Sequence, residues 1–231
     1  MEFMYSVVEF FAGGGVFMFP IAVVLALGAA IAIERYVTLT RLGSKNRKAW
    51  AEVQPLLAAG DFEKAREVTS KADTAIARVL GMGLARQGAV RRREDVEVAM
   101  EESMMEIVPQ LEKRTHYLGT FANLATLLGL LGTVSGLIHA FGAVATVNPA
   151  EKANLLSASI SEAMNCTAFG LMTAVPFVFI HAFLQTKTIE LITGLEMVST
   201  KFLNAVTERH SARQGRIGLV PAGSTAQAAQ G

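Results

Sequence analysis

Residues 117–186 read YLGTFANLATLLGLLGTVSGLIHAFGAVATVNPAEKANLLSASISEAMNCTAFGLMTAVPFVFIHAFLQT, and this stretch decides the fold. From Tyr117 to Ala150 it holds no Asp, Glu, Lys or Arg, and from Ala153 to Thr186 it holds only Glu162. A helix crosses the hydrocarbon core with about 20 apolar residues, so each run is long enough to span a bilayer and project beyond it. Asn148-Pro149-Ala150-Glu151-Lys152 between them reads as the turn of a membrane hairpin.

A third apolar run, Val16 to Ile33, lies upstream, with Pro20 near its start, where a proline removes no intrahelical hydrogen bond. Ala30-Ile31-Ala32 resembles a signal-peptidase site, but a signal peptide carries its bases before the apolar core. Here Arg35, Arg41, Lys45, Arg47 and Lys48 follow it, so the run reads as a retained span. The positive-inside rule then makes the side after this span cytoplasmic and the N-terminus periplasmic; Lys113, Arg114 and Lys187 agree. With 52% hydrophobic and 18% charged residues and a mean hydropathy of +0.38, the chain reads as an all-α polytopic membrane protein. Its three transmembrane helices are extended by a cytoplasmic helical domain. The expected location is a bacterial inner membrane, multi-pass, with the C-terminus cytoplasmic.

The pattern divides the chain further. Phe3, Val7, Phe10 and Phe11 mark an interfacial amphipathic helix over 1–15, ended by Gly13-Gly14-Gly15. Span 1 covers 16–37. Residues 38–115 form the cytoplasmic helical domain, with Gly60-Asp61 as a stop and an N-cap, Asp73 as a second N-cap, Gly88 as a stop and Trp50 as a core anchor. From Arg93, the spacing of Val96, Met100, Ser103, Met104, Ile107 and Leu111 predicts one long helix that bends at Pro109 and becomes span 2, at 116–147. A turn at 148–153, span 3 at 154–186 and a helical extension at 187–210 follow. Residues 211–231, rich in Gly, Ala, Ser and Gln, read as a disordered tail.

Several function classes fall away. A net charge of +1 gives no bulk attraction to nucleic acid. His116, His139, His181 and His210 lack the close pairings of a metal site, and the lone Cys166 has no disulfide partner. No nucleophile with a base and no phosphate loop is visible, so neither an enzyme nor a cofactor is expected.

In span 2, Ala122, Thr126, Gly129, Thr133, Gly136 and Ala140 fall on one face; in span 3, Ala163, Thr167, Gly170 and Ala174 form a second small-residue stripe. Such faces either pack closely or jointly line a space. Glu162 favours the second reading, because an ionised acid within a membrane costs on the order of 3 kcal/mol even on the lenient insertion scale. It lies roughly 15 Å down its helix if that helix begins near Ala153. Glu162 and Thr167 stand about 140° apart around the helix and need not share a line of contact. Cys166 reads as a packing residue, Asn165 as a structural brace and His139 as a hydrogen-bonded histidine near the outer interface.

Gly129-Leu130-Leu131-Gly132-Thr133-Val134, Gly136-Leu137-Ile138-His139-Ala140-Phe141 and Ile160-Ser161-Glu162-Ala163-Met164-Asn165-Cys166-Thr167-Ala168-Phe169-Gly170-Leu171, followed by Ala174-Val175-Pro176, resemble the signature of the MotA/TolQ/ExbB proton-channel family. Three spans resemble its ExbB/TolQ-like branch. The resemblance implies a homopentamer around a dimer of a single-span ExbD/TolR-like subunit carrying a proton-accepting Asp, with a TonB/TolA-like third component and protons as the driving ion. By position, Thr133, Thr167 and Glu162 match the family's proton-pathway residues and Pro176 its helix-distorting proline; Gly129, Gly132, Gly136 and Gly170, with Pro176, are expected at helix-packing positions. Thr126 stands where many members have proline, and Cys166 where a second hydroxyl is common. A non-conducting scaffold, a sodium-driven relative and a motility or secretion member remain as alternatives.

Overall fold

The computed structural model describes residues 13–87 and 93–217. Most of the expected interfacial helix, the Gly88 stop and residues 218–231 lie outside the described residues. Among the described residues the regular elements are six helices: α1 Met18–Ala58, α2 Phe62–Lys71, α3 Ala75–Gln87, α4 Arg93–Glu112, α5 Thr115–Val144 and α6 Pro149–Ile217. Three stretches, Met18–Ala58, Arg93–Val144 and Pro149–Arg209, are long and apolar enough to cross a membrane. The all-α, three-span class expected from the sequence is therefore present. The chain divides into two units, Met1–Thr38 with Glu112–Lys187 and Leu39–Leu111 with Thr188–Gly231.

The first unit holds the hairpin of α5 and α6 with the first part of α1. Small residues let α5 and α6 approach: a Cβ on Gly170 would come within 2.7 Å of the Ala125 carbonyl oxygen and 3.0 Å of the Gly129 Cα. Val24, Ala122, Ala125, Ala174 and Phe177 form its buried apolar cluster. The connection differs from the expected turn at 148–153. Helix α5 stops at Val144, three residues before the expected end of span 2, and Thr146 bonds back to the Ala143 carbonyl through both its N–H and its hydroxyl. Residues 150–153 are already helical, because Pro149, with φ preset and no N–H to satisfy, takes the first helical position.

Cross-contacts put the three helices in register. At one rim Glu162 meets Gly15 and Cys166 meets Gly132; midway the Phe177 ring meets Gly28; at the other rim Arg35 and His181 both meet Thr115. Glu162 and His181 are about 28 Å apart along α6, close to the roughly 30 Å of a hydrocarbon core. Between these rims large apolar side chains such as Phe19, Val23, Leu127 and Phe179 are exposed, as lipid-facing surface requires. Glu162 lies about 20 Å from the start of α6 and level with the lead-in to α1.

The single helix expected from Arg93 into span 2, bent at Pro109, is corrected. Helix α4 runs through Pro109 to Glu112, and the break falls at Lys113-Arg114. Arg114 has φ 68°, the left-handed region, and no other described non-glycine residue shares a positive φ. That conformation ends the helix, and three contacts hold the restart: Arg114 Nη1 to Glu34 Oε2 at 3.2 Å, the Arg35 Nε donating to Thr115 Oγ1 at 3.2 Å, and the His181 Nδ1–H donating to the Thr115 carbonyl at 3.1 Å.

The second unit is a helical bundle. Its core takes Val53 and Leu57 from α1, Phe62 and Ala65 from α2, Val79 and Leu80 from α3, Val96 and Met100 from α4, and Val198 and Phe202 from α6. The rings of Phe62 and Phe202 meet edge to face at 6.2 Å. Trp50 packs partly buried against this core under the Lys201 ammonium. Asp61 caps α2, its carboxylate accepting from the Lys64 N–H at 3.2 Å, after a turn in which Gly60 takes φ +72°. The expected Asp73 cap is corrected: the Thr74 hydroxyl accepts from the Ala77 N–H, and Asp73 pairs with Arg78 at 3.1 Å. The longer reach of Asp73 suits it to the arginine, and Thr74 sits one residue closer to the helix start. Residues 211–217, expected in the tail, continue α6, where Ala212, Arg213 and Gln214 are good helix formers.

Candidate functional site

The site residues sit on the facing turns of α5 and α6. Thr167, half-buried, donates its hydroxyl across the interface to the Gly129 carbonyl at 2.8 Å. A Cβ on Gly129 would stand 3.3 Å from both the Thr167 and Gly170 Cα atoms, so the missing side chain lets this bond form. Thr133 donates to its own helix, at the Leu130 carbonyl, 2.7 Å away, and Thr126 to the Ala122 carbonyl at 3.1 Å. Gly136 faces Ala163, and Gly132 faces the buried Cys166. The buried line on α5 is Leu118, Ala122, Ala125, Gly129, Gly132 and Ala140. The stripe read from spacing is therefore rotated by part of a turn, because the smallest residues seek the contact; Thr126 is left exposed and Thr133 half-buried at its edge.

Glu162 occupies a different side of α6. It is solvent-exposed in the isolated chain, with its carboxylate against Gly15. Asn165, on the same side, donates to the Gly13 carbonyl at 3.4 Å. One chain thus places Thr133 and Thr167 one to two turns inward of Glu162 but does not gather the three around one point. Pro176 is exposed, and α6 stays helical through it; its ring leaves the carbonyl one turn back without an intrahelical donor. His139 donates through Nδ1 to the Ser135 carbonyl at 2.8 Å, closing a local bond within α5.

Chemically, both hydroxyls spend their protons on carbonyls, which leaves their oxygen lone pairs as acceptors. Such an oxygen accepts a hydrogen bond from a neutral carboxylic acid but offers no donor to a bare carboxylate. The opposite rim holds a polar group that sequence reasoning missed: buried Arg35 and Thr115 with half-buried His181, flanked by the Glu34–Arg114 pair. A Glu-Arg pair directly after an apolar run was the available signal. Gly15, which sequence reasoning took only as a helix stop, is the residue against which Glu162 lies. Thr173 is buried, and its hydroxyl has no hydrogen-bond partner among the described residues.

Three apolar helices, two of them paired through small residues, define an α-helical multi-span membrane protein. Residues 71–197, more than half of the chain, match the model of the MotA/TolQ/ExbB proton channel family, and the chain belongs to that family. It is 32% identical over 171 residues to an ExbB-like biopolymer transport protein of Synechocystis, covering 71% of this chain and 65% of that protein. It is 36% identical over 109 residues to the Tol-Pal system protein TolQ of Haemophilus influenzae, covering 47% and 46%. With the biopolymer transport protein ExbB of Aquifex aeolicus it shares 30% over 122 residues, covering 52% and 78%. The chain thus spans less than two thirds of the length of the first two relatives.

Proposed function

We propose that this chain is the multi-span subunit of an ExbB/TolQ-like motor that uses the proton motive force across a bacterial inner membrane to energise work in the periplasm. The observation that carries the reading is the placement of Glu162 at one rim of the apolar layer, with the hydroxyls of Thr133 and Thr167 one to two turns further in. The subunit assembles as a homopentamer around a dimer of an ExbD/TolR-like single-span partner, and a TonB/TolA-like component receives the work. Its N-terminus is periplasmic, its C-terminus is cytoplasmic, and the bundle of residues 39–111 and 188–217 is cytoplasmic. Bases following the apolar run Val16 to Ile33 support that orientation.

In this mechanism a proton enters at the Glu162 rim. A carboxylate on the partner, costly to move through apolar surroundings while charged, is neutralised there. The neutral acid donates in turn to the acceptor oxygens of Thr133 and Thr167, passes inward and releases its proton to the cytoplasm. Proton uptake by vesicles holding this chain with an ExbD/TolR-like partner tests the motor; uptake no greater than with either protein alone would refute it. For orientation, a cysteine at Ala150 in a Cys166→Ala background should react with an impermeant thiol reagent added from the periplasmic side. One at Arg86 should not, and labelling there in sealed inner membranes would reverse the topology.

A second reading, a non-conducting scaffold, is favoured by one observation. The Thr167 hydroxyl is engaged in the α5–α6 contact and the Thr133 hydroxyl on its own backbone, as packing residues would be. The same uptake assay separates the two.

A further inference from the structure

We infer that the Gly13–Gly15 turn is the seat of the Glu162 carboxylate, and that Gly15 is a positioning residue for it; this rests on the proposed ion-handling role of Glu162. Two separate features exclude a side chain at Gly15. Its φ of +72° is a conformation that L residues rarely adopt. A Cβ there would also collide with Oε1 of Glu162 and stand 3.2 Å from its carboxyl carbon. Neither feature follows from the other: a left-handed glycine needs no carboxylate beside it, and a carboxylate can pack on a right-handed turn.

A second bond ties the same turn to the same side of α6. Asn165, three residues beyond Glu162 and so on a neighbouring line of the helix, donates to the Gly13 carbonyl at 3.4 Å. The lead-in also rests on α5, since a Cβ on Gly132 would stand 3.5 Å from the Phe17 Cβ. Residues 162–166 are thus held on two sides, Ala163 and Cys166 by the glycines of α5, and Glu162 and Asn165 by the glycines before α1. The Met18 N–H bonds the Gly15 carbonyl at 3.3 Å, so the turn that carries the carboxylate leads directly into α1. The position of the acid is therefore set by the start of the first span as well as by its own helix.

The test uses the full chain in native membranes and reads modification of Glu162 by dicyclohexylcarbodiimide, with Glu162→Gln giving the background. Gly15→Asn tolerates the left-handed backbone but fills the seat. It should raise the rate of modification about threefold or more, because the displaced carboxyl no longer has Gly15 lying against one of its oxygens. Combining it with Glu162→Asp, whose shorter side chain withdraws from the turn, should restore the rate seen with Glu162→Asp alone. Gly28→Ala, which disturbs the same span against Phe177, should leave the rate unchanged. An unchanged rate in Gly15→Asn, or an equal rise in Gly28→Ala, would overturn the seat. Independently of how these variants fold, Gly13→Cys with Asn165→Cys in a Cys166→Ala background should be joined within one chain by a short bis-thiosulfonate cross-linker. Failure to cross-link in assembled protein would also overturn it. Altered modification in Gly15→Asn with unaltered proton uptake would uphold the seat and remove Glu162 from the proposed ion path.

Discussion

The Thr167 hydroxyl reaches across the hairpin to the Gly129 carbonyl at 2.8 Å, and the absence of a side chain on Gly129 brings the two backbones close enough for it. Thr167→Val keeps the volume and loses the bond, at a cost of roughly 1 kcal/mol for a hydrogen bond between membrane helices. That is too little to prevent assembly, so the variant complex should form and lose partner-dependent proton uptake, whereas Thr167→Ser should retain both. Uptake at the wild-type level in an assembled Thr167→Val complex would leave the hydroxyl with packing alone.

Glycines in the two spans should differ sharply in their tolerance of a methyl group. At Gly170 a Cβ meets backbone atoms of α5 at 2.7 and 3.0 Å, which cannot swing aside; at Gly142 nothing lies within 4 Å. Gly170→Ala should therefore lower the unfolding temperature in detergent. Gly142→Ala should be neutral or stabilising, by up to about 1 kcal/mol from helix propensity. Equal melting of the two variants would mean that α5 and α6 do not pack in this register.

At the opposite rim, Arg35 is 4% exposed and its Nε donates to Thr115 Oγ1. Arg35→Met keeps most of the apolar stem and removes the donors. The expected loss is about 1.5–3 kcal/mol for a hydrogen bond to a charged group, read as a lower unfolding temperature. Arg114→Gly should do the opposite. It removes the cost of a left-handed non-glycine residue, about 1 kcal/mol, and gives up only an exposed ion pair.

The capping carboxylate of Asp61 is held below the usual carboxylate range by the Lys64 side chain and backbone N–H. A lowered folded-state pKa means a contribution to stability that is present above the ordinary carboxylate range. It is lost as the pH falls through the lowered value. Hydrogen exchange of the first amides of α2, corrected for intrinsic rate, should lose protection in that acid window, and Asp61→Ala should abolish the pH dependence.

The three spans and the hairpin were legible because length and lack of charge suffice to identify a membrane helix. The close contacts at Gly129 and Gly170 followed from small-residue spacing. The rotation of the α5 face was not legible, since Thr126 and Ala125 sit on adjacent lines and only packing against α6 selects between them. The break at Arg114 was hidden for another reason. Nothing in Lys113-Arg114 signals a left-handed residue, and its support comes from Glu34, 80 positions away in sequence. Pro109 carried the familiar signal and turned out to lie inside a helix. The depth of Glu162 depended on the register with Gly15, which spacing within one helix does not encode.

The most direct measurement is proton uptake by vesicles containing the assembled complex of this chain and the proposed ExbD/TolR-like partner, comparing wild type with Glu162→Gln and Glu162→Ala. Glutamine keeps the size and hydrogen-bonding capacity of the side chain but cannot ionise; alanine removes both. If Glu162 handles protons, both complexes should assemble and both should lose most of the uptake, with glutamine clearly impaired. An intact Glu162→Gln complex that takes up protons at the wild-type rate would contradict the account.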